Sequence, residues 1–234
     1  MAPQLIVIGL GPGPRDLMTV RSVDVLRTAD RVYLQARPNT WMADRVREFV
    51  PEASLHCYFP VQYRYPETDD FALLADDPVQ RQTADAIKAD LDAGKSVVSA
   101  WAGDPSFFSP FASLQTHLAA LGVGWEIVPG VGFINAAPIV LKQPLVDETN
   151  NLLLARVRTP DDLPAFLAAA DNVVLYSFEA DQLEQLRACA RDHGFEYLHM
   201  ARLETRIEDS KDTDIAEGPF PKRAGLVVLK RRAV

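Results

Sequence analysis

Ile6-Val7-Ile8-Gly9-Leu10-Gly11-Pro12-Gly13-Pro14-Arg15-Asp16-Leu17-Met18-Thr19 is the stretch that decides the fold. An apolar run of strand character enters a turn dense in Gly and Pro, then meets an amphipathic pattern starting at Leu17. Strand, glycine turn and helix in that order open an α/β unit, and such sheets bind ligands at the carboxyl ends of their strands. The turn is not a dinucleotide fingerprint. Gly9 and Gly11 fit the first two glycines of G-x-G-x-x-G, but Pro14 stands where the third must be small enough for helix and strand to touch. Pro12 and Pro14 also stiffen a loop whose amides would otherwise wrap a pyrophosphate, and no P-loop pattern is present. The loop suits a ligand laid against rigid backbone.

Outward from this turn the α/β alternation continues. Leu17, Val20, Val23, Leu26 and Ala29 recur at helical spacing and predict a helix over about 16–29. Arg31–Leu34 reads as the next strand, making a βαβ unit and implying a parallel sheet. Pro38-Asn39-Thr40 breaks the chain and caps a helix carrying Trp41, Val46 and Phe49, which Pro51 ends. Tyr58 to Phe71 has three tyrosines and Arg64 among prolines without a clean period. It reads either as a binding loop with exposed aromatics or as an irregular linker packing its tyrosines on the core. Asp77-Pro78 starts a helix that Gly94 closes.

Two more strands empty into glycine turns. Ser96–Trp101 runs into Gly103-Asp104-Pro105-Ser106-Phe107-Phe108, and Trp125–Val128 into Pro129-Gly130-Val131-Gly132. In one parallel sheet, the three turns can gather into one site. The composition changes at Lys142–Asn150, the expected boundary between a domain over 1–142 and a second over 143–234. Strands are expected at 151–155, 172–178 and 196–201, helices after Thr159-Pro160 and over 180–192, and an antiparallel edge strand at 225–230.

The composition bounds the function. With 234 residues, 48% apolar and 24% charged, the chain can bury a full core. A net charge of −8 argues against a non-specific nucleic-acid binder. No apolar run approaches a membrane span, no leader peptide is expected, and a cytoplasmic location follows. Cys57 and Cys189 read as reduced structural thiols, and the four histidines lack ligand spacing, so no metal site is expected.

The three turns together resemble the tetrapyrrole methylases, S-adenosylmethionine (SAM)-dependent methyltransferases. Gly9-Leu-Gly-Pro-Gly13 with Asp16-Leu-Met-Thr19 resembles the family's opening element. Gly103-Asp104-Pro105 with Phe108 resembles its second element, and Pro129-Gly-Val-Gly with Ala136-Ala137 its third. The resemblance implies two α/β domains with the ligand cleft between them and methyl transfer to a tetrapyrrole, with S-adenosylhomocysteine as product. Within the family it points toward the precorrin-2 C20-methyltransferase branch of cobalamin biosynthesis. It implies that Pro12 lies under the donor, that Gly103 and Asp104 contact its ribose or methionine part, and that Phe107 and Phe108 stand beside the adenine or sulfonium. Val131, Gly132 and Ala136 would form the facing wall, and Tyr176, Ser177, Ala224 and Gly225 would close the site from the second domain. A homodimer is also implied. The family's acidic residue in the first turn is Pro14 here, leaving Asp16, Tyr63 and Arg64 as candidates for the acceptor side. Arg15, Arg37 and Arg64 are the loop arginines placed to meet substrate carboxylates. The competing readings are a peptide or other acceptor, a protein that binds SAM or its product without turnover, and a nucleotide-dependent oxidoreductase.

Overall fold

The computed structural model describes residues 4–59, 77–107, 109–135, 138, 142–157, 159–176, 182–200 and 226–232. The chain divides into two compact units, Met1–Phe133 and Ile134–Val234.

The first unit is built on a parallel sheet of β1 (Leu5–Gly9), β2 (Arg31–Gln35), β3 (Leu55–Tyr58), β4 (Val97–Trp101) and β5 (Trp125–Val128). Their order is β3-β2-β4-β1-β5, every pair parallel. The opening strand is therefore interior, with Gly9 level with Trp101 and Ile8 level with Val128. Successive residues of β1 feed opposite cores: Leu5 and Val7 join one apolar cluster, Ile8 the other. The first cluster holds the inner faces of α3 (Pro78–Asp92) and α4 (Phe111–Ala120), the second those of α1 (Val20–Arg27) and α2 (Trp41–Arg47). A sheet covered on both faces needs mostly apolar strands, and β1 and β4 supply them, the one polar side chain, Ser99, accepting from Trp101 Nε1 at 2.9 Å.

The helix expected over 16–29 begins four residues later. Thr19 takes the N-cap, its hydroxyl accepting from the Ser22 N–H at 3.2 Å, and Arg15–Leu17 forms a separate 3-10 turn. Thr40 does precede α2, but its hydroxyl donates to the Arg37 carbonyl and caps nothing. Strand β3, which the sequence reading leaves unassigned before Tyr58, carries Tyr58 into the core at 5% exposure, as in the reading that packs the tyrosines of that stretch on the core and against the one that exposes them. The remainder of that stretch, 60–76, lies outside the described residues.

In the second unit β6 (Leu152–Arg156), β7 (Asn172–Tyr176), β8 (Phe195–Met200) and β9 (Leu226–Arg231) pair in the order β6-β7-β9-β8. Helices α5 (Leu163–Ala169) and α6 (Leu183–Asp192) pack Leu163, Leu167, Leu183 and Leu186 against Val173, Leu175, Val227 and Leu229. Strand β9 is antiparallel to both neighbours, as the sequence suggests, but it is an interior strand and β8 is the edge. Four consecutive buried residues, Leu226–Leu229, show why: both faces are covered. No helix among the described residues is long and apolar enough to cross a membrane.

A charged cluster ties the far end of the first sheet. The Asp90 carboxylate accepts from the Tyr33 hydroxyl at 2.7 Å and Lys95 Nζ at 2.6 Å, with Arg31 Nε at 3.3 Å. Burial alone would raise its pKa, but the bonds from Lys95 and Tyr33 and the nearby cations bring it below the ordinary 3.8. A carboxylate depressed in the folded state stabilises fully above its unfolded pKa, and that contribution drains away as pH falls through the folded value, below about 4. Asp90→Asn should therefore cost about 1–3 kcal/mol at neutral pH and less at about pH 3. Urea midpoints of both proteins at the two pH values check this; an equal gap at both would refute it.

Candidate functional site

The three glycine turns meet at the carboxyl edge of the first sheet because β1 lies between β4 and β5 and all three end at the same level. Gly11 and Gly103 exchange hydrogen bonds, Gly103 N–H to Gly11 O at 2.8 Å and Gly11 N–H to Gly103 O at 3.2 Å. Both have positive φ, +74° and +64°, which a side chain would strain. Gly9, Gly103 and Gly130 then pack backbone on backbone. A Cβ on Gly9 would lie 2.6 Å from Gly130 Cα, and one on either Gly9 or Gly130 would strike the Gly103 carbonyl oxygen. The result is a floor free of side chains at its closest point.

Of the residues singled out from the sequence, Pro12, Asp104, Phe107, Val131 and Gly132 belong to the three turns themselves. Pro12 is buried in the first turn. Pro14 opens the 3-10 turn, its carbonyl accepting from Leu17 N–H at 3.2 Å, and Asp16 is exposed on that turn. Half-buried Asp104 folds the second turn through one oxygen: Oδ1 accepts from the Ser106 amide at 2.9 Å and hydroxyl at 2.7 Å. The Phe107 amide donates to the Asp104 carbonyl at 3.2 Å, and the Phe107 side chain stays 40% exposed. In the third turn Val131 is half-buried and Gly132 buried, and the ring of Phe133 lies 3.0 Å from where a Gly103 Cβ would be. Tyr176 ends β7 in register with Leu226. Tyr63, Arg64, Phe108, Ala136, Ser177, Ala224 and Gly225 lie outside the described residues.

Arg45 carries no signal in the sequence. Its side chain is 16% exposed, with Nη2 donating to the Gly13 carbonyl at 3.2 Å and Nη1 to Glu48 at 2.6 Å. Glu48 also holds Arg15 Nε at 3.3 Å, and the Arg15 guanidinium lies 5.6 Å from the Phe49 ring centre. The first turn is thereby clamped to α2 and its following turn. A helical arginine beside Val46 carries no local signature of a loop clamp, so only the fold reveals it.

Two of the loop arginines are thus placed. Arg15 is taken up by Glu48, while Arg37 lies 5.2 Å from the ring centre of Phe59. Both cysteines are free, and burial pushes the Cys57 thiol up, so it stays protonated at neutral pH. Among the described residues no cluster of His, Cys, Asp or Glu could hold a metal.

The chain matches the family model described as Tetrapyrrole (Corrin/Porphyrin) Methylases over residues 4–207. It belongs to that family. Among related sequences, this tetrapyrrole methylase is 32% identical over 197 residues to a precorrin-4 C(11)-methyltransferase of Mycobacterium tuberculosis, covering 80% of this chain and 70% of that protein. It is 29% identical over 182 residues to a cobalt-precorrin-2 C(20)-methyltransferase of Salmonella typhimurium, covering 75% and 73%. Among solved structures, a cobalt precorrin-4 methyltransferase superposes with a TM-score of 0.67 at 19% identity, over 98% of this chain and 95% of that one. A uroporphyrin-III-C-methyltransferase from Thermus thermophilus gives 0.63, also at 19% identity, over 99% and 93%. These superpositions bear on the fold: a tetrapyrrole methylase has the mixed α/β architecture described above.

Proposed function

We propose that this tetrapyrrole methylase transfers a methyl group from SAM to a reduced tetrapyrrole of cobalamin biosynthesis. The observation that carries the reading is the backbone floor of Gly9, Gly103 and Gly130 at the carboxyl edge of the first sheet. A donor without a terminal phosphate needs shape and close backbone approach more than an anion cradle, and three turns without intervening Cβ atoms supply that. SAM, when bound, supplies an electrophilic methyl on a sulfonium with a neutral thioether leaving group.

The chain's part is to hold and align. Pro12, Gly103, Asp104, Phe107, Phe108, Val131, Gly132 and Ala136 would hold the donor from the first domain, and Tyr176, Ser177, Ala224 and Gly225 from the second. In this reading the domains are 1–142 and 143–234, with the donor in the cleft between them, in a cytoplasmic homodimer. Asp104 keeps a half-buried carboxylate beside the floor, suited to a ribose diol or to the positive sulfonium. Exposed Phe107 offers a face on which adenine can lie. Alignment of a bound donor and acceptor alone is worth about 7–11 kcal/mol of barrier, so methyl transfer at such a site needs no catalytic dyad.

Pro14 favours a second reading, donor binding without turnover. The turn that it opens leaves Asp16 exposed, and no acidic residue occupies position 14. Calorimetric titration with S-adenosylhomocysteine, with NAD as control, tests the donor site. One-site micromolar binding of the first and none of the second is expected; no binding would overturn both readings. Labelled methyl transfer to a reduced tetrapyrrole then separates them, since a binder without turnover yields none.

A further inference from the structure

Past the glycine floor the same sheet edge continues over β2 and β3, and there the first unit opens a cavity of about 550 Å³. Ala36, Arg37, Pro38, Asn39, Cys57 and Phe59 line it. That volume is in the range of small-molecule sites. Since β2 pairs with β4, the cavity begins one to two strand spacings, roughly 5–10 Å, from the turn carrying Gly103 and Asp104. A ligand larger than the donor can reach from one to the other along the edge.

Arg37 gives the cavity its chemistry. The other arginines near this edge are engaged by carboxylates: Arg15 and Arg45 by Glu48, and Arg47 by Asp44 and Glu52. Arg37 has no carboxylate partner among the described residues. Its guanidinium is held over the Phe59 ring, which fixes the group by cation–π attraction while leaving its planar N–H fork for another partner. A guanidinium backed by a ring, with an amide side chain and apolar surface in the same cavity, matches an acidic side arm carried on a flat apolar body.

We propose that this cavity is a carboxylate subsite for the acceptor, in which Arg37 pairs with one acidic side arm of the tetrapyrrole. Asn39 supplies a further donor, and Pro38 and Phe59 take the apolar stem of that arm. The inference rests on the methyltransferase reading and adds to it the group that recognises the acceptor's periphery. The residues lining the cavity include none of the three floor glycines, so the subsite and the donor site are separable by mutation.

The experiment uses uroporphyrin III, an octacarboxylate tetrapyrrole, as the acceptor probe and S-adenosylhomocysteine as the donor probe, with the intact protein. Arg37→Gln should weaken porphyrin binding about tenfold or more, with S-adenosylhomocysteine affinity kept within about twofold and the circular dichroism spectrum unchanged. Arg37→Lys should recover part of the loss as a point charge. Bound porphyrin should also slow maleimide labelling of Cys57 and leave Cys189 unaffected, read by mass spectrometry. Unchanged porphyrin affinity in Arg37→Gln, or unprotected Cys57 in a protein that binds both probes, overturns the subsite and leaves the methyltransferase reading standing. Failure of the wild-type protein to bind S-adenosylhomocysteine overturns that reading and the subsite with it.

Discussion

Gly130→Ala is expected to destabilise the first unit by about 3 kcal/mol and to lower its unfolding midpoint by about 6–12 °C. The cause is steric. Gly130 is outside the left-handed region, so alanine meets no dihedral penalty there. Its methyl would strike the Gly103 carbonyl oxygen and lie 2.9 Å from Gly9 Cα, and both obstacles are backbone atoms that cannot rotate away. Relief requires β1, β4 and β5 to separate at their carboxyl ends, which also breaks up the proposed donor floor. Gly124→Ala is the control: nothing lies within 4 Å of its Cβ position, and its effect should stay within about 0.5 kcal/mol. Thermal melts of the two variants decide the matter, and equal stability would mean that the three turns do not press together.

Phe111→Ala should cost about 3–5 kcal/mol by leaving a cavity beneath the same edge. Phe111 is 2% exposed, with edge-on contacts to Trp101 at 5.7 Å and Trp125 at 6.1 Å between centroids. These two tryptophans belong to β4 and β5, so Phe111 links the helix after the second turn to the strands that carry the second and third. Phe111→Leu keeps most of the volume and should cost about 1.5 kcal/mol or less. Urea unfolding followed by tryptophan fluorescence measures both, and a loss below about 1 kcal/mol for the alanine variant would show that the site collapses onto itself.

The parts that sequence made legible are those with local causes. The opening strand is a continuous apolar run, and strands of one parallel sheet that each end in a glycine turn must deliver those turns to one edge. Thr19 is harder: Leu17 fits the helical period, yet the hydroxyl cap at Thr19 overrides that fit. Strand β3 is four residues of mixed polarity, Leu-His-Cys-Tyr, and takes its identity from pairing with β2. The position of β9 depends on which strands flank it, and its one local clue is an apolar run without alternation, suited to an interior strand. The clamp on Gly13 and the cavity at Arg37 join segments distant in sequence, and no period or motif encodes such meetings.

The interior position of β9 has a consequence for synthesis. Until residues 226–231 leave the ribosome, β7 has pairing only on its β6 side and β8 has no sheet partner among the described strands. A nascent chain or a fragment cut short of β9 thus presents one bare strand edge on β7 and an orphan β8, both templates for pairing between chains. Truncations before Leu226 should therefore accumulate as aggregates, whereas a fragment ending after β5 would hold all strands of its own sheet.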